Sequence, residues 1–119
     1  MKKVEVTVKA ELLQVVGEKY VVAFRITIPG LLRRVHTRAI QDELRKGPLG
    51  QGISDWWNYF GSDDAPPHIL CKIPRTLIDD RIPKIVDFIG NKVTEELEEA
   101  LSQQQQFAAR FPGKTFRAE

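Results

Sequence analysis

ISDWWNYFGSDDAPP, Ile53 to Pro67, places four aromatic side chains, two adjacent carboxylates and a Pro-Pro pair in fifteen positions. Whether it is helix or strand sets the strand count of the fold. Ser54 is a suitable N-cap, and Trp56, Tyr59 and Phe60 follow at i, i+3, i+4, so the spacing predicts a short helix over Asp55 to Phe60. Gly61 to Asp64 closes it, and Ala65-Pro66-Pro67 delivers the chain extended to the next element. Trp57 points away from the other three rings, so one surface cannot cover all four.

Upstream, Val4, Val6, Val8, Ala10 and Leu12 alternate with Glu5, Thr7, Lys9 and Glu11, the period of a strand with one wet face. The apolar parity changes at Leu13 and Val15, which predicts a bulge at Leu12 and Leu13. A turn at Gly17 to Lys19 leads into Tyr20, Val22, Phe24, Ile26 and Ile28, completing a β-hairpin whose second strand is apolar enough to be central. Pro29-Gly30 ends it. The next sixteen residues, LLRRVHTRAIQDELRK, have no Gly or Pro and set Leu32, Val35, Ala39 and Ile40 at helical spacing. Arg45 and Lys46, then Gly47-Pro48, form the stop signal. On this helix Arg34, Arg38 and Arg45 project along one outward ridge with Gln41.

Downstream, His68 to Ile73 reads as a short strand with Ile69, Cys71 and Ile73 on one side, and Pro74 stops it, which suits a short or an edge strand. From Pro83, Ile85, Val86, Ile89, Val93, Leu97, Ala100 and Leu101 form a stripe of period 3.6, continued by Gln104, Phe107, Ala108 and Phe111. A helix to Arg110 would be about 42 Å long at 1.5 Å per residue. A domain of this size has a radius of gyration of about 13 to 14 Å. Either the helix breaks near Ser102 or its end projects, and a projecting apolar stripe requires a partner. Residues 111–119 are expected to be a flexible tail or a last short strand.

These elements predict one α+β domain over 1–119. It is a two-layer sandwich in which the hairpin and one or two further, mainly antiparallel strands pack with two main helices, in the order ββααβα. The charge of +2, from 18 Lys and Arg against 16 Asp and Glu, is too mild to specify nucleic acid by itself. A single cysteine, Cys71, makes no internal disulfide and reads as a buried hydrophobe. No apolar run reaches the ~18 residues of a membrane span, so no membrane association and a cytoplasmic location are expected.

The sequence carries no catalytic signature, metal-ligand spacing or phosphate loop, and no cofactor, catalytic residue or metal is expected. Asp63, Asp64, Asp79 and Asp80 are the material for a metal-dependent nuclease, the third-ranked function, although paired Asp residues serve more often in turns and caps. His68 and Cys71 have the spacing of half a zinc site, but on a strand they would face opposite sides. The leading expectation is a non-enzymatic interaction or assembly protein. It would self-associate, as a homodimer, through Trp56, Trp57, Tyr59 and Phe60 and through Gln104, Phe107 and Phe111; another protein partner is the alternative occupant. The competing function is nucleic-acid binding through Arg34, Arg38 and Arg45.

Overall fold

The computed structural model describes residues 5–30 and 34–118. Six main elements occur among them: β1 (Thr7–Val16), β2 (Lys19–Thr27), α1 (Thr37–Lys46), β3 (Ser54–Tyr59), β4 (His68–Pro74) and α2 (Ile78–Arg110). The strands form one sheet in the order β1-β2-β4-β3, antiparallel at every pairing. Both helices pack on one face of it.

The hairpin forms as the alternation predicts. Gly17 supplies the positive φ of 60° that the tight turn demands. The register skips Leu13, since Leu12 pairs with Val22 and Gln14 with Val21, which is the bulge that the parity change indicated. Val4, the first apolar position of that alternation, lies outside the described residues. β2 is central, between β1 and β4.

β3 replaces the short helix expected over Asp55 to Phe60, so the element order is ββαββα instead of ββααβα. Trp and Tyr suit a pleated, half-buried surface, and β4 offers the segment an antiparallel partner. A bulge between Ser54 and Trp57, with Asp55 at φ 54°, sets the alternation of the aromatic residues. Trp56 and Asn58 turn toward the helices, while Trp57 and Tyr59 turn away. Asn58 is the inward polar residue that hid this alternation. Its Oδ1 accepts from the Thr37 hydroxyl at 3.1 Å, and its Nδ2 donates to Gln41 Oε1 at 3.2 Å.

Three further expectations change. α1 begins at Thr37, because the Val35 N–H is bonded to the Phe60 carbonyl at 3.0 Å and holds the preceding chain out of the helix. Leu32, counted in that helix from its spacing, lies outside the described residues. β4 is an interior strand, and Pro74 sits at its last position, where its missing N–H interrupts no ladder. α2 starts at Ile78, five residues before Pro83, so the proline lies in the second turn and forfeits a bond to the Asp79 carbonyl.

The core lies between the sheet's inner face and the helices. Val22, Phe24 and Ile26 of β2, Ile69, Cys71 and Ile73 of β4, Ile40 and Leu44 of α1, and Ile85, Ile89 and Val93 of α2 are buried together. α2 runs unbroken for 33 residues, about 50 Å at 1.5 Å per residue, so the projecting alternative is the one realised. The molecule measures 73 × 26 × 23 Å, and its radius of gyration of 18.2 Å exceeds the ~13.5 Å of a compact chain of this length. Residues 112–118 add no strand to the sheet and are exposed. No helix among the described residues is long and apolar enough to cross a membrane.

Candidate interaction surfaces

The sheet's outer face, opposite the helices, is where β3 displays its rings. Antiparallel partners share a face, so the register places Lys9, Arg25, His68 and Tyr59 in one row across the four strands. Glu11, Ala23, Leu70 and Trp57 form the next row. Lys72 and Ser54 follow beyond Leu70 and Trp57, with Val21 beside them. Trp57 is 53% exposed, and its ring lies 5.4 Å from the His68 ring. Tyr59 lies 5.4 Å from the same imidazole and 5.5 Å from Phe60. The aromatic segment is thus divided. Trp56 packs on the core with its indole N–H donating to the Ile53 carbonyl at 3.3 Å. Trp57 and Tyr59 flank His68 on the outer face, and Phe60 stacks beside Tyr59 while lining a cleft with Val35, Arg38 and Asn58.

Strand residues of this face bring four cations, Lys9, Lys19, Arg25 and Lys72, against Glu11 and Asp55. Arg25 is bonded to Glu11, and Lys72 to Asp55 at 3.0 Å. The Arg25 hydrogen bond and charge hold the Glu11 carboxyl below its ordinary value. His68, Arg25 and Lys72 were absent from the expected site. Their alternate positions on β2 and β4 were a readable signal once β3 was a strand.

The second surface is the distal end of α2. All residues from Ser102 to Arg110 are exposed, with Phe107 at 66% and Phe111 just beyond the helix at 56%. Their rings touch at 4.9 Å, and Gln104 lies one turn before Phe107 on the same stripe. Nothing in the rest of the described chain covers that stripe. Closer to the core the same helix is fastened to α1, where Lys92 meets Glu43 at 3.3 Å and Glu96 meets the His36 ring at 3.6 Å.

The arginines are not a single ridge. Arg34 precedes α1, and its guanidinium lies 5.2 Å from the centre of the Phe60 ring. Arg38 and Arg45 are both on α1 and exposed, two turns apart. Arg34 thus lies against Phe60 ahead of the helix, Arg38 lines a cleft with the same Phe60, and Gln41, expected on the outward ridge, is buried.

The other groups weighed from the sequence are dispersed. Asp63 and Asp64 line a shallow cleft with Ile26 to Gly30, whereas Asp80 is paired with Lys84 at 2.8 Å in the first turns of α2. Among the described residues no three His, Cys, Asp or Glu side chains are grouped so as to hold a metal ion. His68 and Cys71 face opposite sides of the sheet as expected: the thiol is in the core, and burial pushes it up to about 12. Comparison with known proteins finds no matching family model, no matching curated protein and no matching solved structure.

Proposed function

We propose that this chain is a non-enzymatic interaction and assembly protein that forms a homodimer through the distal end of α2. The observation that carries the proposal is the exposed stripe of Gln104, Phe107 and Phe111 on a helix that continues past its own core. An isolated helix end of this length is only marginally stable in water, and apolar contact with a partner supplies what the sheet does not. Sedimentation equilibrium over a wide concentration range tests it. A species of about 27 kDa, twice the 13.6 kDa chain, supports the dimer. A 13.6 kDa monomer at high concentration contradicts it.

A second reading concerns the outer sheet face and follows from its composition: exposed rings, with four cations set against two carboxylates. Single-stranded nucleic acid is bound elsewhere by such a combination, with bases stacked on aromatic rings and phosphates met by Lys and Arg. Trp57, Tyr59 and His68 would be the stacking residues and Arg34 a flanking cation; Arg38 and Arg45 lie on the helix layer. Fluorescence anisotropy with a labelled oligonucleotide at low and high salt tests this reading. Absence of salt-sensitive binding, or binding unaltered by Trp57→Ala, removes it. An apolar protein partner on the same face is then the remaining occupant.

A further inference from the structure

We infer that the second copy lies antiparallel on the distal end of α2, each chain's basic end seated on the other's glutamates. The inference rests on the dimer reading above and adds the orientation, the register and the contacts. Charge along this part of the chain falls in blocks. Glu95, Glu96, Glu98 and Glu99 come first, residues 100–109 carry no charged side chain, and Arg110, Lys114 and Arg117 follow, ahead of a terminal Glu119. Among the described residues, Glu98, Glu99, Arg110, Lys114 and Arg117 form no ion pair within the chain.

A parallel pair would set glutamate against glutamate and arginine against arginine. An antiparallel pair sets each block against its opposite, and also opposes the two helix dipoles. The stripe fixes the register. Ala100, Gln104, Phe107 and Phe111 recur at spacings of four, three and four, the rhythm of a helix-pair seam. Leu97, the next position inward, is already buried by its own chain, so the seam stops at Ala100. Matching the two ends puts Ala100 opposite Phe111 of the second copy, small against large, and Gln104 opposite its Phe107. In that register Glu99 and the second copy's Arg110 share one flank of the seam.

Three turns of overlap bury less than the ~800 Å² per partner of a stable interface. The extended residues after the helix supply the rest. Beyond Phe111 each tail runs toward the groove between α1 and α2 of the other copy, walled by Ala39, Ile40 and the carboxylates of Glu43, Glu95, Glu96 and Glu99, with Lys92 and His36 among them. Lys92 already meets Glu43 and Glu95, and His36 meets Glu96. Lys114 and Arg117 are therefore matched to Glu99, which has no ion pair among the described residues of its own chain, while Phe116, the most exposed large apolar side chain described, matches the apolar floor.

Disulfide trapping distinguishes the orientations. Glu99 and Arg110 are eleven residues apart on one helix, about 16.5 Å, too far for a bond within a chain. Native Cys71 is buried and gives the background. Under mild oxidation Glu99→Cys/Arg110→Cys is expected to run as a covalent dimer on a non-reducing gel, with Arg110→Cys alone running as monomer. Arg110→Glu is expected to weaken the dimer about tenfold, and Glu99→Lys in the same chain to restore it. A covalent dimer from Arg110→Cys alone overturns the antiparallel arrangement. So does a wild-type dimer whose Glu99→Cys/Arg110→Cys form fails to link, while the dimer itself stands. A wild-type monomer at every concentration removes the dimer and the orientation together.

Discussion

The Thr37 hydroxyl donates to the Asn58 side-chain carbonyl at 3.1 Å, tying the first turn of α1 to the middle of β3. Thr37 and Gln41 are the buried polar residues of the core, and Asn58 satisfies both. Asn58→Ala would leave two buried polar groups without this partner. The variant is expected to lose about 1 to 3 kcal/mol in urea denaturation, and Thr37→Val in the same chain to recover part of that. Equal stability of Asn58→Ala and wild type would show that the contact contributes nothing.

The two tryptophans should separate in behaviour although they are adjacent. Trp56→Ala removes a ring packed on the core and is expected to cost about 3 kcal/mol, near the low end for such truncations. Trp57→Ala removes an outer ring and is expected to cost about 1 kcal/mol, the scale of a cross-strand pair. Iodide quenching offers an independent check: Trp57→Phe should abolish most of the quenchable emission, and Trp56→Phe should leave it.

Acid should weaken the fold in part through two carboxyls. Glu11, bonded by Arg25, and Asp80, bonded by Lys84, both lie below their ordinary values of 4.5 and 3.8. A lowered acid contributes fully above its unfolded pKa and loses the contribution as pH falls through its folded pKa. Melting temperature is therefore expected to drop below about pH 4.5, with a shallower drop in Glu11→Gln and Asp80→Asn. Unchanged acid slopes in both variants would count against these pairs.

Cys71 should be silent toward thiol reagents while the protein is folded. Its thiol is buried and pushed up to about 12, so almost no thiolate exists at pH 8. Labelling by an aromatic disulfide is expected to proceed only at the rate of unfolding and to accelerate with urea. Rapid labelling in native buffer would place the thiol outside the core.

What the sequence discloses depends on whether a residue's role is settled within its own element. The hairpin, the bulge at Leu13 and the apolar stripe from Ile85 to Leu97 are all periodicities of single segments, and each is present in the structure. β3 was hidden because Asn58 faces inward and is satisfied by Thr37 and Gln41, partners about 20 residues away in sequence. The same holds for the start of α1, decided by a bond from Val35 to Phe60. For the same reason Arg34 precedes the helix, and of the ridge only Arg38 and Arg45 lie on α1. The stripe through Phe111 was legible, and its length narrowed the outcome to a break near Ser102 or a projecting end; the period could not choose between them, because it is the same whether an apolar face is covered or not.

The central claim is that the end of α2 is the dimer contact, and light scattering coupled to size exclusion tests it most directly. Wild-type protein should give about 27 kDa, twice 13.6 kDa, and Phe107→Glu/Phe111→Glu should give 13.6 kDa. Both rings are mostly exposed, so the variant should keep the wild-type circular dichroism of the sheet and the core helix. A wild-type mass of 13.6 kDa at high concentration, or a variant that remains a dimer, would contradict the account.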